Sequence, residues 1–214
     1  MNDLSNYRKT YEKGVLSEKD IHKNPYDQFQ QWFEEVEALN LVEEVNAMSI
    51  SSVGLDGFPK TRVVLLKQYD QNGFVFFTNY NSEKGKAIAA NPKICLSFFW
   101  PKAERQVIIK GFAEKVDPMV SENYFHTRPK GSQIGAIASP QSEVIESETY
   151  LEKKIQELEA EFEHVDLIPR PEHWGGYLVR PLSIEFWQGR PNRLHDRIRY
   201  TLNDDIWTIE RLAP

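Results

Sequence analysis

The run Glu185-Phe186-Trp187-Gln188-Gly189-Arg190-Pro191-Asn192-Arg193-Leu194-His195-Asp196-Arg197 sets three arginines and a histidine close together near the C-terminal end of the chain. In an extended backbone alternate side chains share a face, so Arg193, His195 and Arg197 are expected to project together while Leu194 points away. Two fixed cations then flank one titratable imidazole. Such a row suits an anionic ligand that also exchanges a proton or hydride, because guanidinium stays charged while imidazole changes state near neutral pH. A solvated strand edge is the alternative reading of the same spacing.

Three further cationic clusters stand upstream. Arg62 and Lys67 bracket the apolar Val63-Val64-Leu65-Leu66, but their odd separation puts them on opposite faces of a regular strand. For both to serve one ligand, a bulge or a ligand straddling the strand end is required. Ser82-Glu83-Lys84 opens a helix, where free N–H groups, a hydroxyl and an ammonium can meet a phosphate, although simple capping explains the serine equally well. Tyr124 and Arg128 lie one helical turn apart, and Ser132 is expected to open the next helix beyond Pro129. Phenol, guanidinium, hydroxyl and helix N-terminus together can satisfy a phosphate dianion.

The elements that must position these groups are legible from periodicity and turn residues. Residues 1–23 are polar and read as an arm that orders when something holds it. Asn24-Pro25 caps a helix carrying Phe29, Trp32, Phe33, Val36 and Leu39 on one stripe. Strands follow over 48–53, 61–69 and 74–79, joined through Asp56-Gly57 and Asn72-Gly73 as two hairpins. A short helix runs from Ser82 to Asn91-Pro92, then strands over 93–100 and 105–116. A helix from Asp117-Pro118 breaks at Arg128-Pro129, and a longer one covers 148–163. Strands return over 176–179, 183–187, 197–202 and 206–211. Mostly antiparallel strands with inserted helices predict a mainly β fold, a barrel with helical attachments, in one domain over 24–214.

Composition narrows the function classes. The 214 residues carry a formal net charge of -6, which opposes a nonspecific grip on nucleic acid. The single cysteine, Cys95, sits in an apolar run and reads as a small buried hydrophobe, so a reducing compartment fits. The N-terminus lacks a signal-peptide pattern and no apolar stretch is long enough to cross a membrane, so a soluble cytoplasmic protein is expected. The five histidines show no paired ligand spacing, and no metal is expected. There is no Gly-x-Gly-x-x-Gly, no phosphate loop and no Gly-x-Ser-x-Gly elbow. A phosphorylated ligand must then be held by side chains from scattered elements.

Taken in order, Arg62 to Lys67, Phe77-Thr78-Asn79, Glu104-Arg105-Gln106-Val107, Tyr124 to Pro129, Ser132 to Ala136, Gln141-Ser142, Glu185 to Gln188 and Arg193 to Arg197 resemble the pyridoxine/pyridoxamine 5'-phosphate oxidase family of FMN enzymes. The resemblance implies an FMN-binding split barrel, a homodimer with FMN sites at the subunit interface, and oxidation of a phosphorylated B6 vitamer by flavin and then dioxygen. By matching position it assigns FMN contacts to Arg62, Val63, Val64, Leu65, Leu66, Lys67, Phe77, Thr78, Lys84, Gln106, Gln141, Ser142, Trp187 and Arg197. It assigns the substrate phosphate to Lys67, Tyr124, Arg128 and Ser132, with Arg193 and His195 over the pyridine ring as the catalytic pair. Arg8 and Tyr11 match residues that fold over the substrate, which makes residues 1–23 a lid. All these cations are expected to gather in one pocket. One departure stands out: the family's usual Ser-Arg-Lys reads Ser82-Glu83-Lys84 here, and Glu83 is expected to face away from the flavin phosphate. Another split-barrel flavin oxidase or reductase, or a noncatalytic FMN or pyridoxal phosphate binder, are the alternatives.

Overall fold

Asn24 starts the first helix, α1 (Pro25–Ala38), by accepting the Tyr26 N–H, with Pro25 supplying a helical φ where no N–H is needed. The computed structural model describes residues 1–214. After α1 come β1 (Ala47–Val53), β2 (Pro59–Leu65), β3 (Gln68–Asp70), β4 (Gly73–Asn79), α2 (Glu83–Ala90), β5 (Lys93–Trp100) and β6 (Arg105–Lys115). Three helices follow, α3 (Pro118–Thr127), α4 (Lys130–Ala138) and α5 (Glu148–Glu161), then β7 (Trp174–Gln188), β8 (Asp196–Asn203) and β9 (Ile206–Leu212). The strands hydrogen-bond in the order β2-β1-β5-β6-β7-β4-β3, with β8 on β7 and β9 on β8. This is the mainly β class with inserted helices that the turn pattern predicts.

The chain groups into two units, one of residues 1–50, 95–111 and 181–214, the other of residues 51–94 and 112–180. In the first, Trp32 meets Phe186 edge-on at 5.2 Å and Phe29 meets Phe98 at 5.1 Å, so α1 buries Phe29, Trp32 and Val36 of the expected stripe, while Phe33 is half-buried and Leu39, which caps the helix, is exposed. In the second, Phe125, Ile134, Ala138, Leu158, Ile168 and Trp174 form a buried cluster that fastens α3, α4 and α5 together.

Four local expectations need correction. The strand anticipated over 61–69 breaks at Leu66-Lys67: Leu66 turns inward and is buried, while the Lys67 N–H donates to the Val75 carbonyl at 2.8 Å. The two strands anticipated over 176–187 are one. Pro181 is tolerated because residues 174–179 pair with β4 and residues 183–188 with β8, leaving the proline between the two ladders. Ser132 is the third residue of α4, which Pro129 precedes as N-cap without a side-chain bond, so the serine caps nothing. Finally, residues 191–193 form a 3-10 turn with Asn192 (φ 57°) and Arg193 (φ 62°) left-handed, and β8 begins only at Asp196. Pro191 presets the turn and asparagine tolerates the left-handed basin. The alternation that would align Arg193, His195 and Arg197 therefore does not exist.

Candidate functional site

In the second unit a cavity of about 860 Å³ is lined by Arg62, Val63, Val64, Leu65, Lys67, Phe77, Thr78, Lys84, Tyr124, Arg128, Ser132, Gln141 and Trp174, among others. Arg62 and Lys67 both reach it. The break between β2 and β3 ends the strict alternation of faces, which answers the parity problem.

Lys84 is 7% exposed, yet its ammonium meets only neutral acceptors: Thr78 Oγ1 and Gln141 Oε1 at 2.7 Å and Ser82 Oγ at 3.4 Å. Burial first, and the Arg62 charge second, push its pKa down from 10.5 to about 8. Ser82 caps α2 by accepting the Gly85 N–H at 3.2 Å, and a side chain at Gly85 would collide with the Tyr80 carbonyl. That close approach fixes the first turn of α2, and with it the stem of Lys84.

Arg128 ends α3, where Pro129 denies the helix another turn. Its guanidinium lies 4.7 Å from the Trp174 ring centre, and its buried Nη1 has no hydrogen-bond partner. Burial lowers its pKa. A buried donor without a partner costs about 1–3 kcal/mol, so an acceptor that reaches Nη1 through the cavity would recover that cost. Phe77 stacks on Tyr124 at 4.0 Å and on Trp174 at 5.6 Å, forming an aromatic wall beside these cations. The pocket thus offers fixed positive charge, a phenol and a hydroxyl beside flat apolar surface. It suits a phosphorylated aromatic molecule.

Glu83 lines a neighbouring cavity with Asp56, Lys60 and Lys86 instead of this one. It bonds Lys60 and approaches Arg62 Nη2 at 3.8 Å. The carboxylate has turned from the pocket, as anticipated, but it holds one of the pocket's cations from behind.

A second cavity of about 870 Å³, in the first unit, is lined by Tyr7, Arg8, Lys9, Thr10, Tyr11, Arg190, Asn192, Arg193 and His195. The His195 ring lies 4.7 Å from Trp187, and Tyr11 stands edge-on to both, 5.8 Å from Trp187 and 5.7 Å from His195. The Arg190 N–H donates to His195 Nδ1 at 3.1 Å. An amide can only donate, so the neutral ring carries its proton on Nε2.

Arg128 and Lys67 share the first cavity, Arg193 lines the second, and Arg197 lines neither, donating instead to Glu185 Oε1 at 2.7 Å and the Ala213 carbonyl at 3.0 Å. Gln106 donates to Ser97 Oγ at 3.0 Å, and Ser142, left-handed at φ 74°, borders the Glu83 cavity. Three groups escaped the sequence reading. Trp174 supplies the cation-binding face under Arg128, Arg190 sets the His195 tautomer through its backbone, and Glu104 anchors the N-terminal arm. Only Trp174, beside Gly175-Gly176, had a signal: glycines where Tyr80 and Phe77 come too close for a side chain.

Residues 34–162 match the model of the pyridoxamine 5'-phosphate oxidase family, and residues 174–214 match the pyridoxine 5'-phosphate oxidase C-terminal dimerisation region. A pyridoxine/pyridoxamine 5'-phosphate oxidase of Flavobacterium johnsoniae is 65% identical over the full length of both chains, and that of Salinibacter ruber is 49% identical, again over both full lengths. Among solved structures, PhzG of Burkholderia lata, in complex with tetrahydrophenazine-1-carboxylic acid, aligns with a TM-score of 0.86 at 25% identity, covering 94% of this chain and 98% of its own. A pyridoxamine 5'-phosphate oxidase-related, FMN binding protein of Nostoc punctiforme shares the fold, with a TM-score of 0.70 at 14% identity over 91% of this chain and 100% of its own. With both family regions matched in sequence order and full-length relatives up to 65% identical, the chain belongs to the pyridoxamine 5'-phosphate oxidase family, with its split-barrel fold.

Proposed function

We propose that the protein oxidises pyridoxine 5'-phosphate and pyridoxamine 5'-phosphate to pyridoxal 5'-phosphate, as a cytoplasmic homodimer that uses FMN. The observation that carries this reading is a pair of cations, the buried Lys84 and the half-buried Arg128, with no carboxylate partner in a cavity walled by Phe77, Tyr124 and Trp174. Bound FMN supplies the redox step, taking a hydride from the 4' carbon and passing two electrons to dioxygen, with hydrogen peroxide as product; the amine substrate also consumes water and releases ammonia.

Arg62 and Lys84, with Thr78 and Gln141, are the residues to hold the flavin phosphate, and Lys67, Tyr124, Arg128 and Ser132 those to hold the substrate phosphate. Val63, Val64, Leu65, Leu66, Phe77, Gln106, Ser142, Trp187 and Arg197 complete the proposed flavin contacts. Anchoring the phosphates far from the reacting carbon offsets the entropy of aligning two rings. One chain keeps the phosphate receptors and the Arg193/His195 group in different cavities, and in this reading both serve one ligand system assembled in the homodimer. The match of residues 174–214 to a dimerisation region supports that assembly.

Arg193, left-handed at φ 62° and lining the cavity beside His195, is the proposed substrate-orienting cation. Arg193→Leu is expected to lower turnover roughly 10- to 100-fold, the scale of a misoriented reactant, with flavin content unchanged. Steady-state kinetics and the flavin spectrum check this, and unaltered turnover removes Arg193 from the reaction. His195 acts through its Nε2–H as a hydrogen-bond donor, since taking a proton on Nδ1 would break the Arg190 bond.

Glu83 is half-exposed and shares its charge between Lys60 and Arg62, so its hold on Arg62 has the strength of a surface pair, about 0–1 kcal/mol. Glu83→Gln is expected to tighten FMN binding by no more than about fivefold at low salt, and to do nothing at high salt. Fluorescence titration of apo-protein at the two ionic strengths tests it; weaker binding at low salt would show that Glu83 helps Arg62 instead of competing for it.

A phenazine-pathway oxidase is the rival reading, and the likeness to PhzG favours it. The deciding experiment is to purify the protein, record its flavin absorption and measure peroxide with each phosphorylated vitamer. Flavin colour with stoichiometric peroxide is expected; colour without peroxide would overturn the B6 oxidase reading and leave the phenazine-pathway oxidase or a flavin binder.

A further inference from the structure

Glu104 is 2% exposed and left-handed at φ 57°, at the turn into β6. Its carboxylate faces the N-terminal arm: Oε2 accepts the N–H groups of Glu12 at 2.8 Å and Lys13 at 3.0 Å, and Oε1 meets Lys9 Nζ at 3.2 Å. Its backbone carbonyl accepts the Gly189 N–H at 2.7 Å and Gln188 Nε2 at 3.2 Å, so the turn bearing the carboxylate is fastened to the end of β7. Burial raises the carboxyl pKa, but the Lys13 N–H, Lys9 and the Glu12 N–H outweigh it and keep the group ionised.

The arm packs closely where this carboxylate grips it. A Cβ at Gly189 would lie 2.8 Å from Tyr11 Cγ, and one at Gly14 would lie 2.8 Å from Gln188 Oε1. Tyr11 and Arg8, the arm residues lining the His195 cavity, sit one and four positions before Glu12. A pair of adjacent backbone N–H groups on one buried carboxylate fixes both the direction and the register of an otherwise irregular segment, because charge-assisted bonds are the strong ones and the segment has no ladder of its own.

We propose that Glu104 is a positioning residue that latches the N-terminal arm by its Glu12 and Lys13 amides, so that Tyr11 and Arg8 are held over the Arg193/His195 cavity. This rests on the proposed reading of that cavity as a substrate site. Without the latch the arm must be ordered anew by each substrate molecule, and binding weakens by the fraction of time it is open.

The test uses the full-length holoenzyme with Glu104→Ala. Trypsin cleavage after Lys9 and Lys13 should accelerate about tenfold, and KM for the phosphorylated substrate should rise by about tenfold. Turnover at saturation should stay within about twofold and flavin content should be unchanged. With Arg8 and Tyr11 both already changed to alanine, adding Glu104→Ala should raise KM no further, because the latch then has nothing to position. Unchanged cleavage, or a KM effect that persists in full on the Arg8→Ala, Tyr11→Ala background, overturns the proposal. If wild type itself yields no peroxide, the functional reading fails, while the cleavage rates still report on the latch.

Discussion

Arg128→Met is expected to lower kcat/KM for phosphorylated substrate by roughly 30- to 3,000-fold while leaving the free protein as stable as wild type. Losing one partner of a buried charged contact costs about 2–5 kcal/mol, and each 1.4 kcal/mol is a factor of ten. In the free protein the balance differs. The guanidinium there has an unpartnered buried Nη1, whose removal relieves about 1–3 kcal/mol, against a lost cation–π contact with Trp174 of about 0.5–2 kcal/mol. Tm should therefore stay within about 5 °C of wild type. A large fall in Tm alongside the kinetic loss would mean that Arg128 is a structural residue and that its orphan donor was not being kept for a ligand.

The second large effect concerns Lys84. If Lys84 holds the flavin phosphate as proposed, replacing it with methionine should weaken FMN binding by about 100- to 1,000-fold and leave riboflavin, which has no phosphate, nearly unaffected. The pH dependence has a definite sign. The ammonium's pKa is about 8 in the free protein against an ordinary 10.5, so between those values the unfolded chain holds a proton that the native chain lacks. Native stability accordingly rises with pH across that window, and the full cost of the buried charge is felt below it. A bound phosphate dianion reverses this by favouring the charged form. FMN should bind with proton uptake above about pH 8, and its affinity should fall by up to about tenfold per pH unit there. Calorimetry in buffers of different ionisation enthalpy measures the uptake. FMN affinity that is flat from pH 7 to 9.5 would show that Lys84 does not meet the phosphate.

How far these groups could be read from sequence depends on how local their placement is. The helix stripe of Phe29, Trp32 and Val36, the Ser82 cap and the Pro129 break all follow from residues within one turn of each other, and all are where periodicity and turn chemistry put them. The parity problem of Arg62 and Lys67 was visible, but its solution, an inward turn at Leu66, depends on a buried environment that spacing does not encode. The C-terminal cationic row failed for a related reason. Asn192 and Arg193 adopt left-handed backbone that neither residue requires, so strand alternation could not hold from 193 to 197. The anchoring role of Glu104 has no local signal, because its partners are backbone amides 91 and 92 residues away. Contacts between a side chain and remote main chain leave no signature in residue type or spacing.

In the proposed function, the cations that line this cavity recognise phosphate on the substrate. This recognition is tested most directly by comparing kcat/KM for pyridoxamine 5'-phosphate with that for unphosphorylated pyridoxamine, following peroxide with the same holoenzyme preparation. A preference of about a thousandfold or more for the phosphorylated compound is expected, and it should collapse in Arg128→Met. Equal rates with the two compounds would contradict the account.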